Sequence, residues 1–276
     1  MKADTCARHI IPFGELRHTS RRVHPLIDYM LDATGKPRGR VCILATASGD
    51  MASHLQDWFP PERTWITHLL LFERTVPDIT EFLCDQDLIF VGGGNTMSML
   101  AVLRAHGVDV ALRSAWEAGV VLTGGSAGSL AWFECGTTDS FHLDVLEPLH
   151  DGLGFLAGSH CPHYDGEVQR RPLYHKLIGD GFPAGIAVDE DAAVHYVGTE
   201  ISEVVSARPG ATRPTVWNRT PPDRWSRQPC PHVCWTGPPH SSDTDIYRPQ
   251  VILRRPARRW SHWMESTESR ADSGLD

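Results

Sequence analysis

The stretch GVVLTGGSAGSLAW, residues 119–132, decides how the rest of the chain is read. Val120 to Thr123 form a short run rich in apolar and β-branched residues, suited to a strand buried on both faces. The run breaks into Gly124, Gly125, Ser126, Ala127 and Gly128, small residues that permit a sharp turn, and SLAW then resumes with residues that can be helical. A strand that turns through small residues into a helix is the building unit of an α/β protein.

The same unit recurs on either side. DLIFVGGGNT (87–96) is a strand running into a glycine turn, and MSMLAVLRAHG (97–107) is a helix ended by Gly107. VCILATAS (41–48) is a buried strand ending in small residues, followed by MASHLQDWF, which can be helical. WITHLLLF (65–72) is the next strand, and Pro77 and Asp78 mark a helix start in VPDITEFLCDQ. Downstream, PLYHKLIGDG (172–181) reads as a helix and GIAVDEDAAVHYVG (185–198) as strand, polar break and strand. The pattern predicts an α/β fold, a three-layer α/β/α sandwich around a mostly parallel sheet. The turns at 45–49, 92–95 and 124–128 then emerge together at the carboxyl edge of that sheet, where ligands bind.

Composition narrows the function classes. The chain has 276 residues, is 41% hydrophobic and 22% charged, and is large enough for one sizeable core. Its net charge of −8 argues against a general nucleic-acid binder, which needs a basic surface to neutralise phosphates. No apolar run approaches the roughly 18 residues of a membrane span, and the opening residues are mixed in charge, so a cytoplasmic location is expected. The seven cysteines are odd in number and scattered, unlike a disulfide framework, and Cys42 and Cys84 read as buried thiols.

The division drawn from sequence is one catalytic domain over 1–210 and an atypical segment over 211–276. That segment holds five of the nine tryptophans and nine of the twenty prolines and lacks periodicity apart from YRPQVILRR, so a packed core element is not expected there. Two readings of it stand: a disordered tail, or translation in a shifted reading frame.

Several groups could carry chemistry. Gly124, Ser126 and Gly128 fit G-x-S-x-G, a strained turn that lifts a serine hydroxyl above a sheet and leaves the Ala127 amide free to donate to an oxyanion; close packing of strand on helix explains the same residues. VGGGNT (91–96) lacks the lysine of a P-loop and the spacing of a dinucleotide site, but its amides could supply a second oxyanion donor. In SHCPHYD (159–165), His163 or His160 could be the base for a serine, while His160, Cys161, His163 and Asp165 together could instead bind a metal. VDEDAAV (188–194) offers a carboxylate to orient an imidazole, with a solvated turn as the plainer reading for Asp191. Arg170 and Arg171 could form a local cationic pocket for a carboxylate, or a solvated helix start.

Taken in order, ATASGD, GGGNT, GGSAG, PHY and GIAVDEDAAV, over about residues 40–205, resemble peptidase family S51, which contains aspartyl dipeptidase (dipeptidase E) and cyanophycinase. The resemblance implies a flavodoxin-like fold related to class I glutamine amidotransferases, with serine in place of the amidotransferase cysteine. It implies Ser126 as nucleophile, His163 as base, Glu190 as third member, and Gly93, Gly94 and Ala127 as the oxyanion hole. Cleavage of dipeptides or short peptides with an N-terminal aspartate follows, with Arg170 or Arg171 receiving the acidic group. A cyanophycinase-like β-aspartyl hydrolase is the alternative, though Gly125 stands where those chains usually carry threonine. A catalytically silent anion-binding homologue and a metal-dependent hydrolase using His160 and His163 are the competitors. The preferred reading needs no metal and no cofactor. Its partner is a small peptide with an acidic first residue, without nucleic acid or membrane, and the chain is expected as a monomer or homodimer.

Overall fold

The computed structural model describes residues 7–17, 23–51, 53–142, 145–208, 215–218 and 226–229, the last two as backbone. In chain order the elements are β1 (His9–Phe13), α1 (Pro25–Asp32), β2 (Gly39–Leu44), two 3-10 turns (Thr46–Ser48 and Ser53–Trp58), β3 (Thr64–His68), α2 (Ile79–Cys84) and β4 (Leu88–Val91). They continue with α3 (Thr96–Ala105), α4 (Val108–Glu117), β5 (Val121–Gly125), α5 (Ala127–Leu130), β6 (Phe133–His142), β7 (Val145–Leu149) and β8 (Leu156–Cys161). The last are α6 (Arg170–Gly179), β9 (Gly185–Ala187), β10 (Ala192–Val197), β11 (Glu200–Ser206), β12 (Thr215–Asn218) and β13 (Ser226–Pro229).

Two sheets result where the sequence suggested one. The first runs β11-β10-β1-β5-β4-β2-β3. Its five strands from β1 to β3 are parallel; β10 pairs antiparallel with β1, and β11 antiparallel with β10. Because successive side chains point to opposite faces, each strand feeds two cores. Ile10, Cys42, Leu44, Ile89, Val91 and Leu122 face α2, α3 and α4. Ile11, Phe13, Val41, Ile43, Phe90 and Val121 face α1. That is the three-layer arrangement, and it explains why these strands read as unbroken apolar runs. Trimming one such buried leucine to alanine costs about 2–5 kcal/mol.

The second sheet runs β13-β12-β9-β8-β6-β7, and of its strands the sequence reading had marked β9, the first strand of GIAVDEDAAVHYVG. Phe133, Leu149, Leu156 and Ile186 from it join the α2–α4 side of the core, while Cys161 and Ala187 face Tyr174 and Ile178 of α6. Its last strands, β12 and β13, come from the segment in which no packed core element is expected from sequence; β12 pairs antiparallel with β9 and with β13. The rest of that segment, including YRPQVILRR, lies outside the described residues.

Local chemistry sets the element ends. Asp78 caps α2 by accepting from the Glu81 amide at 2.9 Å, and Asn95 caps α3 by accepting from the Ser98 amide at 2.8 Å. Gly107, at φ 69°, follows α3, as its place in the sequence predicts, and opens α4, a helix the sequence reading did not name. The strand expected over 65–72 stops at His68, where its pairing with β2 ends, and Leu69 and Leu71 are buried beyond it outside the sheet. The segment after Met51 forms a 3-10 turn rather than an α-helix, and α6 begins at Arg170, ahead of the expected Pro172. Cys42 is buried as expected, whereas Cys84 is only half-buried.

Candidate functional site

The three small-residue turns emerge side by side, since β2, β4 and β5 are adjacent and parallel. At the end of β5, Ser126 takes φ 53° and ψ −117°, a conformation that side-chain-bearing residues rarely adopt. Its N–H donates to the Gly14 carbonyl at 3.0 Å, and its carbonyl receives the amides of Ser129 and Leu130. The turn tolerates no side chain at Gly128, where an added Cβ would overlap the Val91 carbonyl. The helix that follows, α5, is a single turn of 4 residues. Its macrodipole is therefore small, and any stabilisation of negative charge there comes from the Ala127 amide itself.

The glycine turn after β4 lies against this serine. An added Cβ on Gly93 would stand 3.1 Å from Ser126 Cβ and 3.6 Å from its Oγ. Gly94, at φ 135°, passes close to the Ala47 carbonyl. Among the described residues, the amides of Gly93, Gly94 and Ala127 donate no hydrogen bond to another protein group. Asn95 fixes the far end of the turn, its Nδ2 donating to the Ser140 carbonyl at 3.0 Å.

His163 follows β8 and Glu190 lies in the link from β9 to β10. The Nδ1–H of His163 donates to Glu190 Oε1 at 2.9 Å. The two side chains are 9% and 3% exposed, and Glu190 Oε2 has no hydrogen-bond partner. His163 also has positive φ, 55°. The turn after β1 joins the link bearing Glu190 to the Ser126 turn. Gly14, which accepts from Ser126, packs against the Asp189 carbonyl and the Glu190 amide, and the Glu15 carbonyl accepts from the Asp191 amide at 2.9 Å.

Glu15 was not singled out from sequence. It is exposed, and one ligand atom each of Glu15, His163 and Glu190 lies within 4.8 Å of the others. Among the described residues, this grouping could hold a divalent cation, in competition with the bond between His163 and Glu190. The metal set considered from sequence does not converge. His160 is fully buried, stacked on Phe133 at 4.5 Å, with Nδ1 on the Ile186 carbonyl and Nε2 3.0 Å from Ser129 Oγ. Burial pushes its imidazole down to about 3. Cys161 is buried beside Thr137, with its thiol pushed up to about 11 by burial, and Asp165 is bound by Arg208.

The two arginines differ sharply. Arg170 is 4% exposed; its guanidinium donates to Glu167 and to the Thr137 carbonyl at 2.9 Å. It is part of the α6 packing rather than the open cation suggested by the sequence. Arg171 is 45% exposed, donates to the Tyr164 carbonyl at 3.1 Å, stacks over the Tyr164 ring and comes within 4.0 Å of Asp189. Asp191 is not a solvated turn residue: it is buried, with Oδ1 accepting from the Arg17 amide and from His24. Burial would raise its carboxyl, but these hydrogen bonds outweigh burial and hold it below the usual range. No helix among the described residues is long and apolar enough to cross a membrane.

The family model for peptidase family S51 matches residues 10–204. The chain is 43% identical over 190 residues to the peptidase YgaJ of Bacillus subtilis, covering 67% of this chain and 81% of that protein. It is 31% identical over 133 residues to Peptidase E of Shewanella denitrificans, covering 45% of this chain and 56% of the relative. In fold it is similar to the crystal structure of a peptidase from an acI-B1 actinobacterium, with a TM-score of 0.58 at 16% identity over 77% of this chain and 91% of that one. The α/β architecture and the family match agree: the chain belongs to peptidase family S51 and is a serine-type peptidase.

Proposed function

We propose that this peptidase hydrolyses dipeptides or short peptides with an N-terminal aspartate through Ser126, His163 and Glu190. The observation that carries the reading is the buried bond between His163 and Glu190. With Nδ1–H committed to the carboxylate, Nε2 is left as the basic nitrogen for a serine proton. His163 takes the Ser126 hydroxyl proton as Oγ attacks the scissile carbonyl. The same imidazole then protonates the leaving amine, and a water activated by His163 releases the acyl group. The unengaged amides of Gly93, Gly94 and Ala127 are the donors available for the oxyanion. Glu190 holds the tautomer and stabilises the imidazolium.

Support for an acidic first residue comes from the resemblance to aspartyl dipeptidase and from Arg171, the half-exposed cation beside the His163 turn. The test is turnover of Asp-Xaa, β-Asp-Xaa, Glu-Xaa and Ala-Xaa dipeptides by the full chain, with Ser126→Ala and Arg171→Ala as variants. Ser126→Ala should abolish hydrolysis, and Arg171→Ala should raise KM for Asp-Xaa more than for Ala-Xaa. Retained turnover in Ser126→Ala overturns the mechanism. Preference for β-Asp-Xaa replaces the substrate by the β-aspartyl alternative.

A further inference from the structure

We infer that Asp165 and Arg208 clamp the main chain of Glu190 and act as positioning residues for catalysis, an inference that rests on the proposed role of Glu190. Glu190 donates its N–H to Asp165 Oδ1 at 2.8 Å. Arg208 Nη2 donates to Asp165 Oδ2 at 2.5 Å and to the Glu190 carbonyl at 3.2 Å. Both backbone polar groups of Glu190 are thus held by one ion pair. Asp165 stands two residues after His163, in the same turn that follows β8. The clamp therefore ties the turn of the imidazole to the link bearing the carboxylate by a route separate from the side-chain bond between them.

Electrostatics explains why this link needs a cation. Asp189, Glu190 and Asp191 are consecutive carboxyl residues, all buried, and like charges so close together repel. His24 and the Arg17 amide answer Asp191, and Arg171 approaches Asp189. Arg208 answers Asp165 and the Glu190 carbonyl, and it also feels the charges of Asp191 and Asp189. Burial would raise the Asp165 carboxyl, but the Glu190 amide and Arg208 outweigh it and hold it below the ordinary range. Arg208 is raised by the same contact. Asp165 and Arg208 are only 17% and 34% exposed, so the pair is better shielded from solvent than an ordinary surface pair. Arg208 follows β11 and lies beyond residues 10–204, the span the family model matches.

The test is a double-mutant cycle on the full chain with wild type, Arg208→Met, Glu190→Gln and the double variant. Two rates are read: labelling of Ser126 by a fluorophosphonate, and kcat and KM on an Asp-Xaa dipeptide. A misplaced carboxylate should slow labelling and lower kcat by about 10- to 100-fold with KM little changed. In the Glu190→Gln background, Arg208→Met should cause no further loss, because its effect passes through Glu190. Arg208→Lys should recover part of the rate, and Asp165→Asn should reproduce the Arg208→Met loss. If Arg208→Met does not fold, Arg208→Lys and Asp165→Asn complete the cycle. Independent, multiplying losses in the double variant, or a folded Arg208→Met protein with wild-type rates, overturn the inference. A wild type that neither labels nor turns over peptides overturns the triad reading itself, and the clamp with it.

Discussion

The imidazole of His163 and the carboxylate of Glu190 meet at 2.9 Å with both side chains almost wholly withdrawn from water. Glu190→Gln keeps the shape but removes the charge, and the amide can present its NH2 to Nδ1 and select the wrong tautomer. The expected loss is about 10²- to 10⁴-fold in kcat and in the rate of phosphonate labelling of Ser126. An unchanged labelling rate would reduce the pair to a packing feature.

Ser126 holds positive φ, 53°, at the end of β5. Such strain costs on the order of 1–3 kcal/mol for a residue with a Cβ, and glycine relieves it. Ser126→Gly should therefore raise the unfolding midpoint while abolishing activity. Ser126→Ala should abolish activity without that gain. Thermal unfolding of the three proteins decides the matter, and equal midpoints for the glycine and alanine variants would refute a strained turn.

Gly93 faces Ser126 so closely that an added methyl would stand 3.6 Å from Oγ. Gly93→Ala should crowd the space of the attacking hydroxyl and its acyl product more than it disturbs the core. The expected outcome is a fall in kcat of about 10²-fold, the scale of a small misplacement of reacting groups, with little change in unfolding midpoint. Steady-state kinetics alongside circular dichroism checks it.

Two buried imidazoles should make stability fall as the solution is acidified. Burial pushes His160 down to about 3 and His195 down to about 4, with the charge of His9 adding to the latter. Tyr29 donates to Glu203, so His195 donates to Tyr29 through Nδ1 and accepts from His9 at Nε2, 2.8 Å away. Both histidines are neutral when folded but take up protons near pH 6.5 when unfolded, so the unfolded state binds more protons between about pH 6.5 and 4. Stability should be level above pH 7 and fall below 6.5, by up to about 1.4 kcal/mol per pH unit for each imidazole. Denaturant midpoints from pH 4.5 to 7.5 measure the slope, and His195→Asn should reduce it by about one proton's share.

The parts of this molecule that sequence revealed were those where one physical rule dominates. Strands such as Leu88–Val91 are buried on both faces, so their apolar runs stand out, and the turns after them need small residues that are equally visible. In the second sheet, β6 and β8 escaped because they mix threonine, serine, cysteine and histidine at buried positions, as with Thr137, Ser159 and His160, which hydrogen bonds satisfy but no hydropathy pattern reports. Glu15 and Arg208 escaped for a different reason. Their significance is where they sit relative to distant residues, and an exposed glutamate after β1 or an arginine after β11 has no local signature. Arg170 and Arg171, adjacent in sequence, parted because one points into the α6 packing and its neighbour toward Tyr164.

Ser126 ends a strand of the first sheet, His163 follows a strand of the second, and Glu190 sits where the chain crosses from the second sheet to the first. Contacts that join such distant parts of a chain require closing long loops, so they form late relative to local structure. On refolding from denaturant, helical and sheet signals should therefore recover ahead of phosphonate reactivity. The interval between them is a clock for the docking of the second sheet onto the first.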